Sequence, residues 1–214
     1  VLHTDAVQVP AHLPIDVREL GVDLLSISAH KFYGPKGVGA LYVRQGTPLL
    51  PLIVGGSQEF AKRAGTENVA GIVGMARALE FAVGELPQVP SSIAVLRDRL
   101  ENGIRERIAG VRVNGRGNPR LANSCNVSFA GVDGEGLLIG MDLEGIAVST
   151  GSACASGSLQ PSHVVAALGT TEQWTRGVVR FSLGRANTQA EIDRTLEVLA
   201  PVVDRLRGAG STMG

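Results

Sequence analysis

The chain has 214 residues, 20 basic and 20 acidic side chains, and a hydrophobic fraction of 44%. That neutral balance gives no electrostatic case for nucleic acid or an anionic membrane as the main partner, and no run of about 18 apolar residues predicts a membrane-spanning helix. Two cysteines are too few for a disulfide framework and fit a reducing compartment, so a cytoplasmic location is expected.

The first residues, Val1 to Thr4, read as the end of a buried strand that stops at Asp5. Domains rarely begin inside a strand, so residues are expected upstream. No basic-then-apolar pattern of a secretory signal follows Val1. Leu13 to Leu20 reads as a linker or short helix, and Asp23 to Ser28 as a compact buried strand. His30 to Gly37 carries two glycines and a proline and predicts a loop. Val38 to Arg44 is a second β-rich run, an antiparallel partner for its neighbour. Residues 45–67 read as loop. Asn68 to Leu86 places Val69, Ile72, Val73, Ala76, Leu79 and Phe81 at helical spacing.

Pro87 and Pro90 break that pattern and mark a boundary, dividing the chain into residues 1–86 and 87–214. A second helix is expected from about Ser91 to Ala109, capped by Ser91 or Ser92 and stopped by Gly110. Short strands are expected at 111–113, 125–129, 147–149 and 178–182. Helices are expected at 134–143, 161–168 and 189–207. Strands alternating with helices predict a compact α/β domain after Pro90.

Asp5 and Lys31 each follow a predicted strand, where ligands of open α/β sheets bind. A lysine amine and a carboxylate near one crevice are what pyridoxal phosphate (PLP) chemistry needs: the amine bonds the cofactor aldehyde, and the carboxylate keeps the ring nitrogen protonated. A surface lysine and a capping aspartate would look the same in isolation. Ser28 and His30 flank Lys31 and can donate to a phosphate, and Gln8 lies within reach of a ring oxygen. Lys36 competes with Lys31, but sits in a Gly-Pro turn rather than directly after the strand.

Residues 149–158 (STGSACASGS) are small throughout and read as a mobile loop with Cys154 at its centre, open to act as a nucleophile. Cys125, among Asn, Val and Phe, reads as a packed strand residue. Arg180 stands inside an apolar strand, where it either grips a substrate carboxylate or forms a structural ion pair. Residues 63–68 (RAGTEN) form a turn into a helix, with Thr66 either at an anion site or in a capping box. No Cys/His cluster has zinc spacing.

Five segments resemble the cysteine desulfurases, the NifS/IscS-like enzymes of the class-V aminotransferase family: HTDAVQ (3–8), SAHKFYGPKG (28–37), RAGTEN (63–68), STGSAC (149–154) and VRFSLG (179–184). They occur in the family's order over nearly the whole chain. The resemblance implies an α/β fold, the C-terminal part of a fold-type-I PLP-dependent transferase, with part of the large PLP domain and a small C-terminal domain. It implies a homodimer that converts L-cysteine to L-alanine, with partners that accept sulfur or act as scaffolds in iron–sulfur assembly. Carried over, Lys31 bonds PLP, Asp5 pairs with the ring nitrogen and Gln8 contacts the ring hydroxyl. Ser28, His30 and Thr66 hold phosphate, with Thr66 reaching the cofactor of the neighbouring subunit. Arg180 binds the substrate carboxylate and Cys154 is the nucleophile. Family members also carry a long segment ahead of the 3–8 stretch, which supplies further cofactor contacts and which this sequence does not include. Selenocysteine lyases and aminotransferases share the cofactor chemistry, although the Cys154 loop argues against an aminotransferase. A non-catalytic piece that only docks assembly partners is the alternative of a different class.

Overall fold

A computed structural model describes residues 1–150, 163–168 and 171–211. The chain divides into two compact units, Val1–Pro90 and Ser91–Gly214.

The first unit is built on a three-stranded sheet. Strand β1 (His3–Asp5) pairs in parallel with β2 (Leu24–Ser28), and β2 pairs antiparallel with β3 (Gly39–Val43). The mixed sheet has a simple cause. The crossover from β1 to β2 passes through the 6–23 segment, whereas only the 29–38 turn joins β2 to β3. Leu13 to Leu20 holds turns and no helix. The segment expected to be loop from His30 opens with a 3₁₀ turn, Ala29–Phe32. Ala29 and Phe32 are buried with Ala82, and Tyr33 closes the turn in the left-handed region at φ 66. A bulky residue there is strained, which is a mark of sites that constrain the backbone.

Residues 45–67 include one further turn, α1 (Gln58–Ala61), in which Glu59, Phe60 and Ala61 all have positive φ. Helix α2 (Val69–Glu85) follows; its N-cap is Asn68, whose side chain accepts from Gly71 N at 3.1 Å. That cap replaces the capping box considered for Thr66. Among the apolar residues of this unit, Ala6, Val22, Leu25, Ala29, Phe32, Ala64 and Ala82 are buried, while Val69, Val73 and Phe81 of α2 stay exposed.

Helix α3 (Val89–Arg107) begins two residues before the expected serine caps. Pro90 sits in its first turn, where a missing N–H is not needed, so it starts the helix rather than breaking it. Ser91 and Ser92 lie inside the helix. Gly110 stops the segment at φ +64.

The second unit holds a four-stranded sheet, ordered β4-β5-β7-β6: β4 (Val111–Asn114), β5 (Ser124–Phe129), β6 (Ser149–Thr150) and β7 (Val178–Ser182). Every pairing is antiparallel. Its helices are α3, α4 (Gly134–Leu143), α5 (His163–Ala167), α6 (Glu172–Thr175) and α7 (Gln189–Ser211). The four-residue α6 has no periodic signal long enough to read in the sequence. Glycines let α7 approach closely: a Cβ on Gly103 would meet Leu196 Cδ1 at 2.4 Å, and one on Gly140 would meet Val202 Cγ1 at 2.6 Å. Cys125, Val127, Phe129, Val179, Leu137, Met141 and Leu199 are fully buried and form the core. Each of the larger side chains contributes about 1.5–3 kcal/mol by leaving water.

Candidate active site

In the first unit the register aligns Asp5 with Ser26, so the carboxyl ends of β1 and β2 lie side by side. Ser28 ends β2, and the 3₁₀ turn directly after it carries His30 and Lys31. The parallel pairing therefore brings Asp5, Ser28, His30 and Lys31 to one edge of the sheet, the end at which open α/β sheets take ligands. Asp5 is exposed and its Oδ1 accepts from Val7 N at 3.0 Å, which orients the carboxylate. Ser28 Oγ and His30 Nδ1 share a hydrogen bond of 2.9 Å. His3 Nε2 shares one of 2.8 Å with Ser26 Oγ, a contact that sequence reasoning did not foresee.

Lys31 is exposed and has no ion pair or hydrogen bond among the described residues. Lys36 is also exposed, farther along in the turn before Gly37. Gln8 lies in the turn three residues after Asp5 and is exposed, as is Thr66, which stands just ahead of the Asn68 cap.

The chemistry of this donor set fits PLP. A free amine, a fixed carboxylate, and a hydroxyl–imidazole pair meet the needs of an aldehyde, a pyridinium and a phosphate in turn. His12 is different: it is buried, its Nδ1 has no partner, and burial pushes its pKa down from 6.5. It packs as a neutral side chain rather than serving the edge.

In the second unit the strands alternate faces. Val113, Cys125, Val127, Phe129, Val179 and Phe181 face the core, while Arg112, Asn114, Ser124, Asn126, Ser128, Arg180 and Ser182 occupy the opposite face. Cys125 is fully buried. Desolvation, with the Glu101 carboxylate adding to it, pushes its thiol up to about 12. A thiol so raised is neither nucleophile nor metal ligand at neutral pH.

Arg180 forms no ion pair with an acid among the described residues, and its Nε is buried without a partner. The structural ion pair considered for it is therefore absent among those residues. A buried donor left unpaired is costly, and an incoming carboxylate would satisfy it. Cys154 lies outside the described residues. Among the described residues no group of His, Cys, Asp and Glu could hold a metal ion, and no helix is long and apolar enough to cross a membrane. The period-2 alternation of VRVN, SCNVSF and VVRFS carries the signal for the polar sheet face, with its Asn114 and Asn126.

A profile of the aminotransferase class-V family matches residues 1–195. The cysteine desulfurase IscS of Dictyoglomus turgidum is 54% identical over 205 residues, covering 96% of this chain and 52% of the relative. The IscS of Methanosarcina thermophila is 50% identical over 205 residues, covering 96% of this chain and 50% of its own length. Among solved structures, a NifS-like protein superposes with a TM-score of 0.86 at 39% identity, covering 96% of this chain and 53% of its own. SspA in complex with cysteine gives 0.67 at 36% identity, covering 87% and 51%. The chain thus spans about half the length of the curated relatives it matches.

Proposed function

Since this chain belongs to the aminotransferase class-V family, and resembles its cysteine desulfurases in sequence and fold, we propose that it supplies the PLP-lysine and persulfide portion of a cysteine desulfurase. The fold is that of the C-terminal part of a fold-type-I PLP-dependent transferase. The observation that carries the proposal is the parallel β1–β2 pair, which gathers Asp5, Ser28, His30 and Lys31 at one sheet edge.

When bound, PLP supplies an aldehyde and an electron sink that makes the substrate Cα–H acidic. Lys31 holds the cofactor and, once free, its amine carries the Cα proton as a general base. The Asp5 carboxylate, oriented by Val7 N, keeps a proton on the ring nitrogen. Gln8 takes the ring hydroxyl; Ser28 and His30 hold phosphate, and Thr66 does so for a second copy of the chain in a homodimer.

Arg180 grips the α-carboxylate of L-cysteine. The Cys154 thiolate attacks the substrate sulfur: an S–S bond forms, the substrate C–S bond breaks, and protonated carbon leaves as L-alanine. Cys154 ends as a persulfide, whose terminal sulfur passes to an acceptor or scaffold protein of iron–sulfur cluster or thiocofactor synthesis. A thiol used in this way needs a reducing compartment, which supports the cytoplasm.

Borohydride reduction in the presence of PLP, followed by mass spectrometry, tests the first half: the adduct is expected on Lys31 and not on Lys36. Cys154→Ser tests the second half. That variant is expected to keep the adduct and to lose persulfide formation and alanine release from L-cysteine. Unchanged alanine release would remove Cys154 from the reaction. No adduct on Lys31, with partner binding retained, would favour a binding module instead.

A further inference from the structure

The polar face of the second unit's sheet holds a row of side chains of which the proposed reaction uses only Arg180. The register sets Asn114 opposite Asn126, Asn126 opposite Arg180, and Arg180 opposite Ser149. Directly opposed residues share a face, so four strands bring these polar side chains into one line. The row ends on β6, the strand that precedes the segment with Cys154.

Asn114 is buried. Its Nδ2 donates to Asn126 Oδ1 at 2.7 Å and to Ser128 Oγ at 2.9 Å. Ser128 is itself fully buried, so this anchor is rigid. With the Asn126 oxygen accepting from Asn114, its Nδ2 turns away from β4, and Asn114 Oδ1 is left buried without a partner. The Asn126 amide nitrogen has no partner among the described residues. Its neighbour in the row, Arg180, presents a guanidinium whose buried Nε is also unpartnered. The row therefore offers N–H donors side by side and no acidic group among the described residues to receive them. A planar anion with two oxygens answers this arrangement.

We infer that Asn126 is a substrate-binding residue. Its Nδ2 donates to one oxygen of the amino-acid α-carboxylate whose other oxygen Arg180 holds, and Asn114 is the positioning residue that fixes the Asn126 amide. The inference rests on the reading of Arg180 as the carboxylate site and adds the residue that selects for a carboxylate over an uncharged or absent group.

The test uses the PLP-loaded protein, labelled with ¹⁵N, titrated with L-alanine and separately with ethylamine, which lacks the carboxylate. L-alanine is expected to shift the Asn126 side-chain NH₂ and the Arg180 Nε–H signals with one common affinity, and ethylamine to shift neither. Asn126→Asp keeps an oxygen for Asn114, so the sheet anchor survives, but removes the donor and sets a negative charge beside Arg180. It is expected to weaken L-alanine binding and to raise KM for L-cysteine by roughly tenfold or more, with kcat changed less. Asn126→Ala is expected to do the same to a smaller degree. An intact Asn114 Nδ2 signal in Asn126→Asp verifies the fold. If Arg180 responds to L-alanine while Asn126 does not, or if Asn126→Asp binds L-alanine as tightly as the parent, Asn126 is a structural amide and the inference falls alone. If Arg180 itself does not respond, the carboxylate reading falls and takes the inference with it.

Discussion

Burial holds two titratable side chains neutral, raising the thiol pKa of Cys125 and lowering the imidazole pKa of His12. Cys125 is sealed in the sheet with its pKa raised to about 12. Iodoacetamide at pH 8 is expected to leave Cys125 unmodified in the folded protein while labelling Cys154, as read by peptide mass; labelling of Cys125 at the rate of a free thiol would contradict its burial. His12 is buried neutral, with its folded pKa below 6.5. In the unfolded chain the same imidazole protonates near 6.5, so the unfolded state binds more protons once pH falls below that value. The stability this residue permits is therefore full above 6.5 and declines as pH falls toward the depressed folded pKa. Replacing it, as His12→Leu, is expected to flatten that decline in urea titrations run between pH 7 and 5. An unchanged pH slope would show that His12 is not its source.

Helices and strands are held together by a few specific devices. Glu101, on α3 and almost fully buried, accepts from Arg116 Nε at 2.8 Å and from Arg120 Nη2. Both arginines belong to the connection between β4 and β5, so one carboxylate ties that connection to the helix. Removing it as Glu101→Ala strands Arg120 in a largely buried position and is expected to cost roughly 2–4 kcal/mol, lowering the urea midpoint. A loss under about 0.5 kcal/mol would reduce the pair to a surface bridge. Close approach of helices is the second device. Gly103→Ala and Gly140→Ala each drive a methyl into α7, against Leu196 and Val202. Each is expected to destabilise by about 1–3 kcal/mol despite alanine's better helix propensity. Thermal melts of either variant at or above the parent's Tm would mean that α7 moves aside at little cost.

Across the molecule, burial is uneven. Most of the large, fully buried side chains, among them Leu100, Ile104, Phe129, Leu137, Met141 and Leu199, belong to the second unit, whereas the first buries small clusters around Leu25 and around Phe32 and leaves Leu50, Leu52, Phe60 and Val69 exposed. Residues 88–214 alone are therefore expected to melt cooperatively, and residues 1–87 alone to lack a sharp transition, by circular dichroism. A broad transition for 88–214 would show that its core depends on the rest of the chain.

Much of this protein was determined by sequence alone. The helices at 134–143 and from 189, the three strands of the first sheet, β4, β5 and β7 of the second, and the packed state of Cys125 followed from periodicity and neighbours, whereas the strand expected at 147–149 lies at Ser149–Thr150, where the Cys154 loop was expected to begin. Those properties depend on residues close in the chain, which a linear reading can see. Tertiary structure decided the rest. Whether Pro90 breaks or begins a helix depended on where α2 ends at Glu85. Whether Arg180 is paired depended on which strands flank β7. That Asp5 and Lys31 share an edge depended on β1 and β2 running in parallel. The row from Asn114 to Ser149 depended on register across four strands far apart in sequence. Register and pairing come from side chains meeting across long separations, and no local pattern carries that information.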